Sequence, residues 1–234
     1  MKKALIILLA ALVAMTLIVG CKDEPAETTA KKGYTGKTYK LGTKGPGGGI
    51  VFYDVDADND SGNADGLKSD DCGWRYLEVA SQNVNCNGQT KFYFCYNRDS
   101  AAGENKAIGV SSTAIGKGKD NTADIISKFA NKIPYNNETG EAGSTFYAAY
   151  AATCYNGGSL TDWFLPSKEE ALAMVNASEK ITSLNLGDYV YWTSTEDSSA
   201  PTTKAVVVSA TGMSGGYSEK DKSEDCYVRP VRRF

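Results

Sequence analysis

The residue groupings that could carry chemistry in this 234-residue chain are a run of aspartates, a pair of adjacent glutamates and six cysteines, and the chain contains no histidine. That zero excludes a Ser-His-Asp triad, a Cys-His dyad, a histidine general base and a histidine-ligated zinc site. Any catalysis would rest on carboxylates, lysine, tyrosine or cysteine. The aspartates run from Asp54 to Asp71. Carboxylates at every second position can converge on a hard cation where a glycine lets the loop turn back. Asp56, Asp58 and Asp60 are therefore candidate Ca2+ ligands, although the glycine falls one place late at Gly62 and the twelfth position is Leu67 rather than a glutamate. The alternative for this stretch is a solvated insertion. Glu169 and Glu170 have the spacing of an acid–base pair, but in the first turn of a helix two carboxylates complement the helix dipole, which is the reading adopted.

The first residues address the chain. Met1-Lys-Lys precedes an apolar run from Ala4 to Val19 that ends in Leu17-Ile-Val-Gly-Cys21. The run is shorter than the ~20 residues of a spanning helix. It reads as a signal peptide over residues 1–20, and its ending resembles a bacterial lipoprotein signal. That resemblance implies acylation of Cys21, cleavage before it, and an extracytoplasmic protein held on the outer membrane or cell surface by several acyl chains. Residues 21–40 lack apolar periodicity and read as a flexible tether. Gly36-Lys37-Thr38 has the tail of a phosphate-binding loop, but Lys31 stands where the leading glycine belongs and no strand precedes it.

In an oxidising compartment the five remaining cysteines are expected to form disulfides, with one left free or paired to another chain. Cys86 and Cys95 flank an Asn87-Gly-Gln turn and could staple a hairpin; Cys154 and Cys226 could form the long-range bridge, leaving Cys72 over. No Cys-x-x-Cys spacing suggests a metal cluster. Loss of Lys2 and Lys3 takes the formal charge from −3 to −5. An acidic surface argues against nucleic acid as a partner.

Residues 41–234 suffice for one large domain. A glycine turn, Gly45-Pro-Gly-Gly-Gly49, feeds a strand at Ile50–Asp54. Further strands are expected at Trp74–Ala80, Lys91–Tyr96, Tyr189–Thr195, Lys204–Ala210 and Cys226–Phe234. Helices are expected after Asp120 or Asn121, stopping at Pro134, then over Ser144–Thr153, and after Ser167. Ser167 with Glu170 has the spacing of a capping box. Strands, helices, then strands predict an α+β fold.

Jointly, Gly45-Pro-Gly-Gly-Gly-Ile-Val-Phe-Tyr53, Gly73-Trp-Arg-Tyr-Leu-Glu78, Ile115-Gly-Lys-Gly-Lys-Asp-Asn-Thr122, Asp162-Trp-Phe-Leu-Pro-Ser-Lys-Glu-Glu170, Tyr191-Trp-Thr-Ser-Thr-Glu196 and Val228-Arg-Pro-Val-Arg-Arg-Phe234 resemble the bacterial Lcl C-terminal domain family. The resemblance implies a C-type-lectin-like domain over 41–234, with the first and last strands adjacent and a ligand face on the far side. It implies a binding or adhesion module for a glycan or protein ligand, without catalysis. Candidate contacts are Trp192, Glu196 and the loop from Thr211 to Tyr217, although Trp192 reads better as a core residue. The alternatives are an enzyme of the formylglycine-generating kind, which would use a cysteine pair, and a structural envelope lipoprotein with no ligand.

Overall fold

A computed structural model describes residues 36–57, 66–94, 107–129, 135–136, 141–142, 147–213 and 216–234, all within one compact unit, Lys31–Phe234. The signal segment, Cys21, Asp58, Asp60 and Cys95 lie outside the described residues. Among the described residues no helix is long and apolar enough to cross a membrane.

The chain is α+β, as its pattern predicts. The apolar, aromatic run Ile50–Asp54 forms β1 and pairs antiparallel with β2, Tyr76–Val79; β2 in turn pairs with β8, Val231–Arg233. The expected adjacency of the first and last strands is therefore corrected. Both belong to one sheet, but β2 lies between them. The two ends of the described fold still meet through side chains: the Tyr39 ring lies 5.2 Å from Phe234 and 5.6 Å from Tyr76, each edge-on. Tyr39, read as the end of the tether, thus belongs to the folded body.

A second antiparallel sheet holds β5 (Val190–Glu196), β6 (Lys204–Ser209) and β7 (Tyr217–Asp221) in that order. Side chains alternate across a strand, and here both faces are covered. Trp192, Ala205 and Val207 join one core, packed with Ile125 of helix α2 (Gly118–Phe129) and with Ala148, Ala151 and Ala152 of helix α3 (Ala148–Cys154). Tyr191 and Val208 join the other, with Phe52, Leu77 and Val231 of the first sheet and Ala171, Met174 and Val175 of helix α4 (Lys168–Ser178). Helix α1 is the single turn Ser69–Cys72, and a small hairpin pairs β3 (Tyr135–Asn136) with β4 (Glu141–Ala142).

The expected strand Cys226–Phe234 is divided. Tyr227 bridges to Tyr191 on β5, then Arg229-Pro230 carries the chain across to β2, where Val231 also exchanges two backbone bonds with Phe164. Pro230 lacks an N–H, so a change of partner falls naturally there. Of the expected strand Lys91–Tyr96, the described residues 91–94 form single bridges instead, Phe92 to Cys226 and Tyr93 to Tyr147.

Candidate functional site

Three glutamates on regular elements are buried, and each grips backbone amides of a glycine-containing loop. Glu78, on β2, accepts from Gly47 N (2.9 and 3.1 Å to its two oxygens) and Gly49 N (3.2 Å), and pairs with Arg232 at 3.1 Å. The turn must come this close: a Cβ on Gly49 would stand 2.3 Å from the Val79 carbonyl oxygen. Glu170, third residue of α4, completes the capping box with Ser167 and also accepts from Gly116 N at 2.9 Å, drawing that loop to the start of α2. Glu196, at the end of β5, accepts from the amides of Ile108, Gly109 and Val110 at 2.8, 2.8 and 3.2 Å and forms a buried ion pair with Lys222.

Burial pushes Glu78 above the usual carboxyl range, against the pull of its amides and of Arg232. Burial likewise raises Glu170 to about 7, opposed by the amides of Ser167, Gly116 and Gly118. A carboxyl near neutrality suits general acid–base work, but Glu170 is fully enclosed and its oxygens are spent on these amides. Glu170 therefore does more than complement a dipole; it fastens two helix starts together.

Between Trp192 and Glu196 the β5–β6 pairing slips, and the residues that bulge out connect three elements. Ser194 N donates to Pro166 O, Lys168 N donates to the Thr195 hydroxyl, and Asn121 Nδ2 reaches both Ser112 O and Ser194 Oγ. Asn121 therefore ties α2 to the bulge rather than capping it; the helix begins earlier, at Gly118.

These arrangements correct the expected ligand contacts. Trp192 has no solvent exposure, and its indole Nε1 donates to Phe92 O at 2.7 Å inside the core. Glu196 is equally enclosed, its carboxylate saturated by three amides and Lys222. Neither faces a ligand. Asp56, the described member of the aspartate set, accepts from Ser69 N at 2.8 Å and Ser69 Oγ at 2.5 Å and lies 3.5 Å from Arg75 Nε, which Asp54 also binds. Burial works to raise its pKa, yet Ser69 and Arg75 hold it below the usual range. Its carboxylate closes the base of the insertion onto α1, and among the described residues no group of His, Cys, Asp or Glu is placed to hold a metal.

The expected bridge between Cys154 and Cys226 is also corrected: both thiols are free, as are those of Cys72 and Cys86. Pairing with Phe92 carries Cys226 into the core, where burial pushes its thiol up to about 12. Cys154 is exposed at the last residue of α3, where its thiol helps to raise the pKa of the Cys86 thiol, after burial.

The exposed counterpart of these buried groups lies where β5 begins. Tyr189 is 41% exposed, and its ring packs on Tyr227 with centroids 4.4 Å apart. Lys91 Nζ stands 5.2 Å over the Tyr227 ring, and the Asp188 carboxylate accepts from the Thr211 hydroxyl beside it. The surface is held from below, since Trp192 N donates to Tyr227 O and Tyr227 N to Val190 O, both at 3.0 Å. Sequence reasoning placed Thr211 here and missed Tyr189, Tyr227 and Lys91. The available signal was strand alternation, which turns Tyr189 and Trp192 to opposite faces. No protein-family model and no curated protein matches the chain.

Proposed function

We propose that this chain is a lipoprotein, anchored outside the cytoplasm through acylated Cys21, whose C-type-lectin-like domain of the Lcl C-terminal kind binds a glycan at the Tyr189–Tyr227 surface. The observation that carries the reading is the exposed Tyr189 ring, tilted 51° against Tyr227 with centroids 4.4 Å apart, at the start of a strand whose sheet is buried on both faces. Aromatic rings offer a sugar's C–H face a large rigid contact at small entropic cost, and flanking polar groups orient its hydroxyls. Lys91, Asp188 and Thr211 are such groups. Folding is carried by the buried glutamates, so the loops they hold are scaffold and the aromatic surface is what a ligand meets.

The test is a glycan array probed with the unit Lys31–Phe234, with a peptide library as the comparison. Retention of a related set of glycans supports the reading. Binding of peptides alone, or of nothing, overturns it.

A further inference from the structure

Cys86 sits in a tight turn. Its N–H donates to Gln89 O at 2.9 Å, Gln89 N returns a bond to Cys86 O at 3.1 Å, and Asn87 takes the left-handed φ of 53° that such a turn requires. The approach to the turn is fixed as well: Val84 N donates to Val228 O at 3.0 Å, and Arg229 Nη1 donates to the Asn83 side chain at 3.0 Å. Opposite this turn, α3 ends at Cys154, and the next residue, Tyr155, places its hydroxyl 3.3 Å from Ser81 Oγ. Cys86 packs in the same core as Ala151 and Ala152 of α3. The two thiols, 68 positions apart in sequence, are close enough to act on each other's charge, Cys86 buried and Cys154 exposed.

We propose that Cys86 and Cys154 are a disulfide pair that locks the end of α3 to the Cys86–Gln89 turn. The oxidant is a disulfide, either a small-molecule disulfide or a thiol–disulfide exchange protein. The Cys154 thiol, within reach of solvent, releases its proton to water and its sulfur attacks one sulfur of the oxidant, whose S–S bond breaks and expels a thiolate. The Cys86 thiol then releases its proton, and its sulfur attacks Cys154 Sγ in the mixed disulfide, expelling the second thiolate. Two thiols lose two electrons and two protons; the oxidant's disulfide becomes two thiols. Attack proceeds in this order because a bulky oxidant can reach only the exposed sulfur. Cys226 is left as a buried free thiol.

Trypsin places each cysteine in its own peptide: Cys72 in 69–75, Cys86 in 76–91, Cys95 in 92–98, Cys154 in 133–168 and Cys226 in 223–232. The full chain, reduced and then treated with glutathione disulfide, is alkylated and mapped by mass spectrometry. The expected product is 76–91 joined to 133–168, absent from a Cys154→Ser variant, with thermal unfolding raised by on the order of 10 °C over the reduced protein. Peptide 76–91 joined to 92–98 or 223–232, or recovered alkylated at Cys86, overturns the pairing. The proposal draws on the extracytoplasmic reading only for the oxidant's source in the cell. Protein taken from cells without reduction reads that separately: a pair that forms with glutathione disulfide but is reduced in cell-derived protein counts against export and leaves the pairing intact.

Discussion

Lys222→Met removes the counter-charge from Glu196 while keeping the side chain's length. Both side chains are almost wholly enclosed, and Lys222 also donates to Pro201 O at 2.6 Å. A single substitution strands the other charge in the interior, which costs ~3–5 kcal/mol for a buried pair, against ~0–1 kcal/mol for an exposed one. In a domain of this size ~4 kcal/mol lowers Tm by roughly 8–16 °C. Glu196→Gln strands Lys222 and is expected to cost a similar amount. The double substitution leaves no unpaired charge, so its cost should fall below the sum of the singles by at least ~2 kcal/mol. Urea unfolding followed by the fluorescence of the buried Trp163 and Trp192 supplies these values. Hydrogen exchange adds a site-specific readout, because the amides of Ile108, Gly109 and Val110 should lose protection in Glu196→Ala and keep most of it in Lys222→Met. Single substitutions that each cost under ~1 kcal/mol and add in the double would refute the role given to this pair.

Two further outcomes follow from the same geometry and a third from the proposed lipid anchor. Glu170 has its folded-state pKa raised to about 7 from 4.5, so the native state holds a proton that the unfolded chain gives up. Stability is therefore greatest below pH 4.5 for this group and declines as pH rises towards 7, by roughly 3 kcal/mol; Glu78 shifts in the same direction. Urea midpoints from pH 5 to 8 should fall, and Glu170→Gln should flatten that slope; a wild-type midpoint that rises over this range contradicts the assignment. Gly118→Ala, which would stabilise an unobstructed helix start, is expected to destabilise by ~1–3 kcal/mol, since the added Cβ would stand 2.1 Å from a Glu170 oxygen and 2.7 Å from Ser167 N; an unchanged Tm counts against the close approach. On the proposed acylation, Cys21→Ser should abolish incorporation of labelled palmitate and release the protein from the membrane fraction; labelling that persists contradicts acylation at Cys21.

The elements most legible in sequence were those whose residues decide their own conformation. Ser167 and Glu170 form the capping box their spacing implies, and the apolar run Ile50–Asp54 is a strand with the expected bounds. Strand β7, Tyr217–Asp221, went unread because it is a polar edge strand that pairs only with β6 and carries no apolar run. Glu196 was misplaced for a different reason, while Trp192 takes the core position that was the alternative to a ligand contact. A side chain rich in ligand chemistry has the same letter whether it faces solvent or the interior, and only the pairing of β5 with β6 and Tyr227 decides which. The glycine motifs and the glutamate-bearing motifs were both visible, but not that they bind each other: Gly47 and Gly49 with Glu78, and Gly116 with Glu170. Those contacts span 29 to 54 positions of sequence, beyond the reach of local periodicity. The Cys154–Cys226 bridge was misread likewise, because nothing local says that pairing with Phe92 carries Cys226 into the core.

Titration of one glycan taken from the array against the wild-type unit, Tyr189→Ala, and Tyr189→Ala with Tyr227→Ala distinguishes scaffold from surface most directly. Each lost ring should weaken binding by about tenfold, ~1.4 kcal/mol; Tm should stay within ~2 °C for Tyr189→Ala, a surface change, and fall further in the double variant, because Tyr227 is half-buried against the core. Unchanged affinity in the double variant would contradict the placement of the ligand on this face.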